Sequence, residues 1–315
     1  MSRIGAPENV VKTQALLEHC DGDAVIDRGL RSVSDVRTPE VQAKPFLKWA
    51  GGKSKLLPAI LPYVPSRIRD YHEPFVGSGA VFFAVAPRVF GTCHLSDLND
   101  ELVNAWQIVR DAPDKLLSAV KCYDGLNTEE DYYRVRAERP SDPFERAARF
   151  VYLNQTAWNG LWRVNKHGVF NVPWGARPFR GLDPAAISSA SLAMSGVDVE
   201  HRDFRAAIAN ATPGDFVYLD PPYLPASDTS KFCFYTKKRF VVQDLEELAE
   251  LCAQMSANGI NWMMSNRDNE RMRKLFAHAR VIPFKARRSV SAQNRRNIEP
   301  VASPEVVVVG GPACR

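Results

Sequence analysis

Apolar runs of strand length alternate with segments of helical periodicity from about residue 69 to residue 311, and this alternation limits the possible folds more than any other feature. "RDYHEPFVGSGAVFFAVAP" gives a strand, a glycine turn and a helix start. "TCHLSDLNDELVNAWQIVRD" repeats the plan with a strand through Leu95, an acidic turn and a helix. "DFVYLDPPYL" is an apolar strand stopped by a proline pair. "EELAELCAQMSANGINWMMSN" is a helix stopped at Gly259 and then another strand, and "PEVVVVGG" is a last strand. Such alternation predicts an α/β fold on a largely parallel sheet. Residues 116–205, rich in Arg, Trp and Asn and containing the hairpin-like "NKHGVFNVPWG", break the rhythm and read as an inserted region. That leaves 43–115 and 206–315 as the main domain. Residues 1–42 read as a polar extension, expected to be disordered apart from a short helix around Val10–Cys20.

Three classes of function are disfavoured at once. No apolar run approaches the roughly 20 residues that span a bilayer, and the N-terminus has no signal-peptide core. The six cysteines form no C-x-x-C pair, so neither a zinc site nor a disulfide framework is indicated. "GGKS" at Gly51–Ser54 resembles the end of a phosphate-binding loop, but the first glycine of that motif would fall at Leu47. The net charge of +5 is modest. Its clusters, at Arg134, Arg136, Arg139, Arg146 and Arg149, then at Arg163, Lys166, Arg177 and Arg180, and again at Lys285, Arg287, Arg288, Arg295 and Arg296, fit either a polyanion partner or a solvated basic face.

Two turns carry chemistry. In "EPFVGSGA", Gly77 and Gly79 permit a tight turn and close backbone approach to a ligand, and Asp97, at the end of the next strand, can accept both hydroxyls of a ribose. The third glycine of a dinucleotide fingerprint is replaced by Phe82. In "VYLDPPY", the strand delivers Asp220 at its carboxyl end; Pro221 and Pro222 stiffen the turn and leave their carbonyls free, and Tyr223 offers a flat ring. A carboxylate, a free carbonyl and a stacking ring suit a planar exocyclic amine.

Taken in order, "FLKWAGGKSKLLP", "EPFVGSGAVF", "SDLNDELVN", "FVYLNQTAWNGLWRVNKHGVFNVPWG", "VYLDPPY" and "ARRSVSA" make the chain similar to the Dam-like, D12-class DNA adenine-N6 methyltransferases over roughly residues 44–298. The resemblance implies a Rossmann-like S-adenosyl-L-methionine-dependent methyltransferase sheet with an inserted, mainly helical target-recognition region. It implies that Trp49 and Lys53 sit beside the methionine end of the cofactor, that Phe75, Gly77 and Gly79 line it, that Asp97 takes the ribose, and that Asp220 borders it. It implies that Asp220, Pro221, Pro222 and Tyr223 form the catalytic adenine pocket. Lys48 and the segment holding Trp158, Asn159, Leu161 and Arg163 are implied to face double-stranded DNA. Trp158 stands where family members usually have tyrosine, and Arg177 stands where GATC-specific members carry an aromatic, so the resemblance carries the reaction and not a GATC site.

The same reading makes Arg163 the candidate for reading a guanine edge, because a guanidinium bonds O6 and N7 together. Arg287, Arg288, Arg295 and Arg296 are expected on the DNA backbone, Arg177 is expected to bind DNA, and Tyr235 and Phe240 are expected to close over an extruded base. A cognate restriction enzyme, a monomer or weak dimer, and a cytoplasmic location with nucleoid association on DNA complete these expectations. Alternatives on the same fold are an RNA or N4-cytosine methyltransferase, or a catalytically inactive DNA-binding relative.

Overall fold

A computed structural model describes residues 43–224, 239–286 and 303–312, without the side chains of 285–286 and 303–304. The expected helix around Val10–Cys20, together with Tyr235, Arg287, Arg288, Arg295 and Arg296, lies outside the described residues. The strands are β1 (Tyr71–Glu73), β2 (Cys93–Asp97), β3 (Asp198–His201), β4 (Phe216–Leu219), β5 (Asn261–Arg267), β6 (Arg280–Ala286) and β7 (Ser303–Gly310). The helices are α1 (Leu57–Ile60), α2 (Ala80–Val85), α3 (Asp100–Asp111), α4 (Pro113–Ala119), α5 (Glu129–Ala137), α6 (Pro143–Thr156), α7 (Pro184–Ala193), α8 (Phe204–Ile208), α9 (Val242–Ala257) and α10 (Glu270–Leu275).

The strands form one sheet in the order β3-β2-β1-β4-β5-β7-β6. The first five run parallel, and β7 inserts antiparallel between β5 and β6. Side-chain alternation divides the core between the two faces. Phe216 and Tyr218 of β4, Met263 of β5, and Val307 and Val309 of β7 point to the face covered by α2, α3 and α6. Val217 and Leu219, Trp262 and Met264, and Val306 and Val308 point to the face covered by α8, α9 and α10. All eleven of these side chains are buried, which is why the strand sequences read as continuous apolar runs.

The helix boundaries follow from local chemistry. Asn99, Asp142, Asp183, Asp203 and Asn269 each accept a backbone N–H from the first turn of the helix they precede. Proline at the first helical position follows the caps of α6 and α7, and Thr128 with Asp131 makes a reciprocal capping box on α5. At the end of α9, Gly259 takes φ +72°, so that Gly259 N–H bonds Ser256 O and Ile260 N–H bonds Met255 O. Between residues 116 and 205 the chain forms α5, α6, α7 and the hairpin, and the sheet resumes at Asp198, inside the stretch read as the insertion. The short β3 carries too little apolar pattern to announce itself.

The cluster Arg134–Arg149, read as a polyanion face or a solvated one, is divided: Arg134 and Arg139 are exposed, whereas Arg136, Arg146 and Arg149 are wholly or partly buried against other segments. Arg149 is buried and donates to Val135 O and Arg136 O, stopping α5. Arg146 pairs with Asp100 and Glu101 at the start of α3, Arg134 pairs with Asp131, and Arg136 donates to Val172 O. Arg149 and Arg146 thus tie α6 to α5 and to α3, and Arg136 ties α5 to the hairpin at Val172.

Glu73, the last residue of β1, is buried and accepts the Tyr71 hydroxyl at 2.7 Å. Burial pushes its carboxyl up to about 8. The folded chain therefore keeps a proton that the unfolded chain releases near 4.3. Between those values the folded state binds more protons, so this group makes stability fall as pH rises, by up to about 1.4 kcal/mol per pH unit. Glu73→Gln keeps an acceptor for Tyr71 and removes the titration. Urea unfolding at pH 5 and pH 8 should show the variant gaining on the parent protein at pH 8; equal changes in the two proteins would refute the assignment.

Candidate active site and nucleic-acid face

The turns singled out in the sequence end neighbouring strands. β1 pairs with β4 in parallel, with Tyr71 opposite Phe216 and His72 opposite Val217, while the chain leaves β1 toward β2 on its other side. This is the switch point where open α/β sheets bind ligands.

On the β1 side, Gly77 and Gly79 take φ +49° and +66°, a region that penalises side chains. Protein packing also demands glycine here: a Cβ on Gly77 would lie 2.7 Å from Trp49 Cδ1, and one on Gly79 would collide with Trp106. Trp106 Nε1–H donates to Gly77 O at 3.1 Å. Asp97 reaches across from β2, accepting Gly77 N–H at 3.3 Å and Asn99 N–H at 3.0 Å. Burial raises its carboxyl to about 6 against those backbone hydrogen bonds. Phe75 is half-buried and stacks on Phe204 at 5.6 Å, with Phe240 edge-on at 6.1 Å. Phe240 thus belongs to the aromatic wall beside the glycine turn.

On the β4 side, Asp220 has 21% of its side chain exposed and is otherwise enclosed by protein atoms. Lys53 Nζ stands 2.5 Å from both of its oxygens, 2.9 Å from Gly51 O and 5.3 Å from the centre of the Tyr223 ring. The "GGKS" lysine is therefore turned back onto its own loop and the carboxylate, which accounts for a glycine–lysine pair without a phosphate loop. Ser265 Oγ donates to Asp220 Oδ1 at 3.0 Å and contacts the Tyr218 hydroxyl at 2.9 Å. The Tyr223 hydroxyl donates to the buried Glu305 at 3.3 Å. Burial raises the proton affinity of Asp220, opposed by Lys53 and then by the Ser265 hydrogen bond.

This donor set fits S-adenosylmethionine. Asp97 keeps carboxylate lone pairs beyond its backbone bonds for a pair of hydroxyls. Phe75 would supply an apolar wall, and Lys53, on leaving Asp220, a cation for the carboxylate at the amino-acid end. Trp49 packs on the glycine turn. No group of acidic, histidine or cysteine side chains among the described residues could hold a metal ion.

The inserted region presents a second set. After α6 the chain turns through Trp158–Gly160, with Asn159 at φ +55° and Gly160 at φ +64°. Asn159 is exposed, whereas Trp158 and Leu161 are half-buried against the core, so the aromatic ring is partly held by the protein. The "GVFNVPWG" stretch folds back through bridges Val164–Phe170 and Ala157–Trp174. It orients Arg163, whose Nε donates to Asn171 Oδ1 at 2.8 Å and whose second nitrogen donates to Asn171 O at 3.2 Å. Lys48, Gln155, Arg177, Pro178 and Arg180 line a cavity of about 330 Å³, with Lys48, Arg177 and Arg180 exposed.

Ser265, Tyr218, Glu305, Asn154 and Asn171 were not singled out in the sequence. Only Ser265 left a signal there, as part of a polar pair, Ser265-Asn266, ending the apolar "WMM" run.

The chain matches the D12 class N6 adenine-specific DNA methyltransferase family over residues 49–290. It is 34% identical over 265 residues to a type II methyltransferase of Lactococcus lactis subsp. cremoris, covering 81% of this chain and 92% of that protein. It is 34% identical over 248 residues to a type II methyltransferase of Methanocaldococcus jannaschii, covering 73% and 86%. The DNA adenine methylase of Escherichia coli strain K12 is also 34% identical, over 251 residues, covering 78% and 89%. With paired turns at the switch point and a match across most of its length, the chain belongs to the D12 class of N6 adenine-specific DNA methyltransferases.

Proposed function

We propose that Asp220, Pro221 and Tyr223 receive an adenine extruded from duplex DNA, and that Asp97, Phe75, Gly77, Trp49 and Lys53 hold the methyl donor beside it. The reaction of the class transfers a methyl group from S-adenosylmethionine to adenine N6 in DNA. The observation that carries the residue assignment is the pairing of β1 with β4, which sets the glycine turn beside the Asp220 turn.

The bound donor supplies a methyl group on a sulfonium, which leaves as a neutral thioether when the N6–carbon bond forms. The adenine amine is a poor nucleophile because its lone pair is delocalised into the ring. Asp220 and the Pro221 carbonyl accept its two N–H bonds, which favours a tetrahedral nitrogen and frees the lone pair as the transition state is approached. Lys53 Nζ holds the place those hydrogens need, so productive binding requires it to swing toward the carboxylate of the donor. The nitrogen must lose a proton as it gains carbon, and the raised proton affinity of Asp220 suits it to take that proton on to solvent. The half-exposed Tyr223 ring offers the stacking face, at roughly 1–3 kcal/mol per base. That stacking offsets an unstacking cost of a few kcal/mol.

On the DNA side, Arg163, fixed by Asn171, is suited to a guanine edge. Lys48, Arg177 and Arg180 surround a concave basic surface suited to duplex DNA, and the Trp158–Gly160 turn is the candidate wedge into the base stack. Arg287 and Arg288 keep their proposed role on the backbone. The relatives named type II methyltransferases support a reading in which a restriction endonuclease of the same specificity accompanies this chain.

Labelled methyl donor and duplex DNA should yield N6-methyladenine; label on cytosine, or on RNA alone, would sink the reading. Asp220→Ala should lower kcat by at least about 10²–10³-fold with DNA binding retained, measured by single-turnover kinetics beside a filter-binding assay. In a pH profile, kcat should fall with acid above the usual aspartate value of about 3.9, because the charged form of a raised-pKa group is lost early. Ser265→Ala should move that limb to higher pH and cost roughly tenfold in kcat; an unmoved limb would remove Ser265 from the site. Asn171→Ala should relax the methylated motif in the manner of Arg163→Ala, as read by sequencing methylated adenines; an unchanged motif in both would take Arg163 out of readout.

A further inference from the structure

The segment Lys48-Trp49 lies between the two functional regions. Lys48 N–H donates to Asn154 Oδ1 at 2.9 Å, and Asn154 Nδ2–H donates to Lys48 O at 2.6 Å. Asn154 is 2% exposed, on the last turn of α6, one residue before Gln155 of the basic cavity. The opposite side of Lys48 is closed by Gly160, where an added Cβ would lie 3.3 Å from Lys48 Cβ and Cδ. The next residue, Trp49, stacks on Phe150 of the same helix at 6.3 Å and fills the space that Gly77 leaves by having no side chain. Lys48 is exposed and lines the cavity with Arg177 and Arg180.

We infer that Asn154 is a positioning residue: its carboxamide clamps both backbone groups of Lys48, aiming the lysine into the basic cavity and seating Trp49 under the cofactor turn. The inference rests on the reading of Lys48 as DNA-facing. A flexible lysine placed by its own side chain alone would distribute its ammonium over many rotamers. A lysine whose backbone is gripped on both polar groups presents the charge from one origin, in register with Arg177 and Arg180. A carboxamide supplies a donor and an acceptor on separate atoms, one for each backbone group, and Asn154 has no other bond partner for its carboxamide among those described. The clamp joins a loop and a helix separated by 106 positions, so it closes only when the inserted region has docked on the main sheet.

The test is a double-mutant cycle on the full chain, using Asn154→Leu, Asn154→Ala and Lys48→Ala. The probe is a duplex oligonucleotide carrying the adenine motif that the parent protein methylates, with single-base variants as controls. Because Lys48 is exposed, water can satisfy its backbone groups, and Asn154→Ala leaves room for that water should the leucine variant misfold. In the Lys48 background, either Asn154 variant should lower kcat/KM by roughly 10–100-fold and cut discrimination against the single-base variants. In the Lys48→Ala background, the same change should alter discrimination by less than about twofold. Additive losses in the two backgrounds would mark Asn154 as a general stabiliser and overturn the inference. Loss of discrimination in Lys48→Ala but not in the Asn154 variants would overturn it alone. Unchanged discrimination in Lys48→Ala would overturn the inference, and unchanged kcat/KM beside it would overturn the DNA-facing reading of Lys48 as well.

Discussion

Strand β1 bonds to β4 in parallel, and because both run the same way, their carboxyl ends finish side by side. The chain then departs in opposite senses, through a glycine turn toward β2 and through the Asp220-Pro221-Pro222 corner away from it. A cleft between two diverging turns is unavoidable in this topology. What remains for side chains is to keep it polar at one point and open elsewhere. Glycine at positions 77 and 79 lets Trp49 and Trp106 press against the turn from the protein side, so the turn cannot sag into the space that a ligand needs. The prolines remove N–H groups that would otherwise compete for the carboxylate.

Charge in the cleft is managed by burial. Glu73, Asp97 and Asp220 all hold protons more tightly than free carboxyls do, and in each case the largest cause is loss of solvent. Three carboxyls drawn into one region would repel one another were they all ionised. Glu73 avoids the conflict by remaining protonated near neutral pH and bonding Tyr71, whereas Asp220 keeps Lys53 and Ser265 as partners. Under the proposed assignment, the site holds an ionisable acceptor for the adenine amine and a neutral acid behind it.

The inserted region solves a different problem. If it carries DNA as proposed, its surface must be basic, yet the helices beneath it must pack. The arginines divide accordingly. Arg146 and Arg149 face inward on carboxylates and helix-end carbonyls, and Arg177 and Arg180 face outward around the cavity. Arg163 stands between these cases, bonded to Asn171 on one edge of its guanidinium and open on the rest. The paired bonds between Asn154 and Lys48 join α6 to the loop that carries Trp49, and Trp106 of α3 holds the glycine turn through Gly77 O.

The α/β class, the glycine and proline turns, and the residues Asp97 and Asp220 were legible in the sequence, because each is set by local rules: strand-length apolar runs, φ preferences, and the position of a side chain at a strand end. The failure of the phosphate-loop motif was legible for the same reason, since one missing glycine suffices. Tertiary structure decided the rest. The antiparallel insertion of β7 and the existence of β3 depend on pairing partners far along the chain. The inward or outward fate of each arginine depends on which carbonyl lies opposite it, and the roles of Ser265, Glu305, Asn154 and Asn171 arise from contacts between segments remote in sequence or brought together by a hairpin. Local conformational preferences are written residue by residue, whereas the partner of a buried polar group is fixed only when the chain has closed around it.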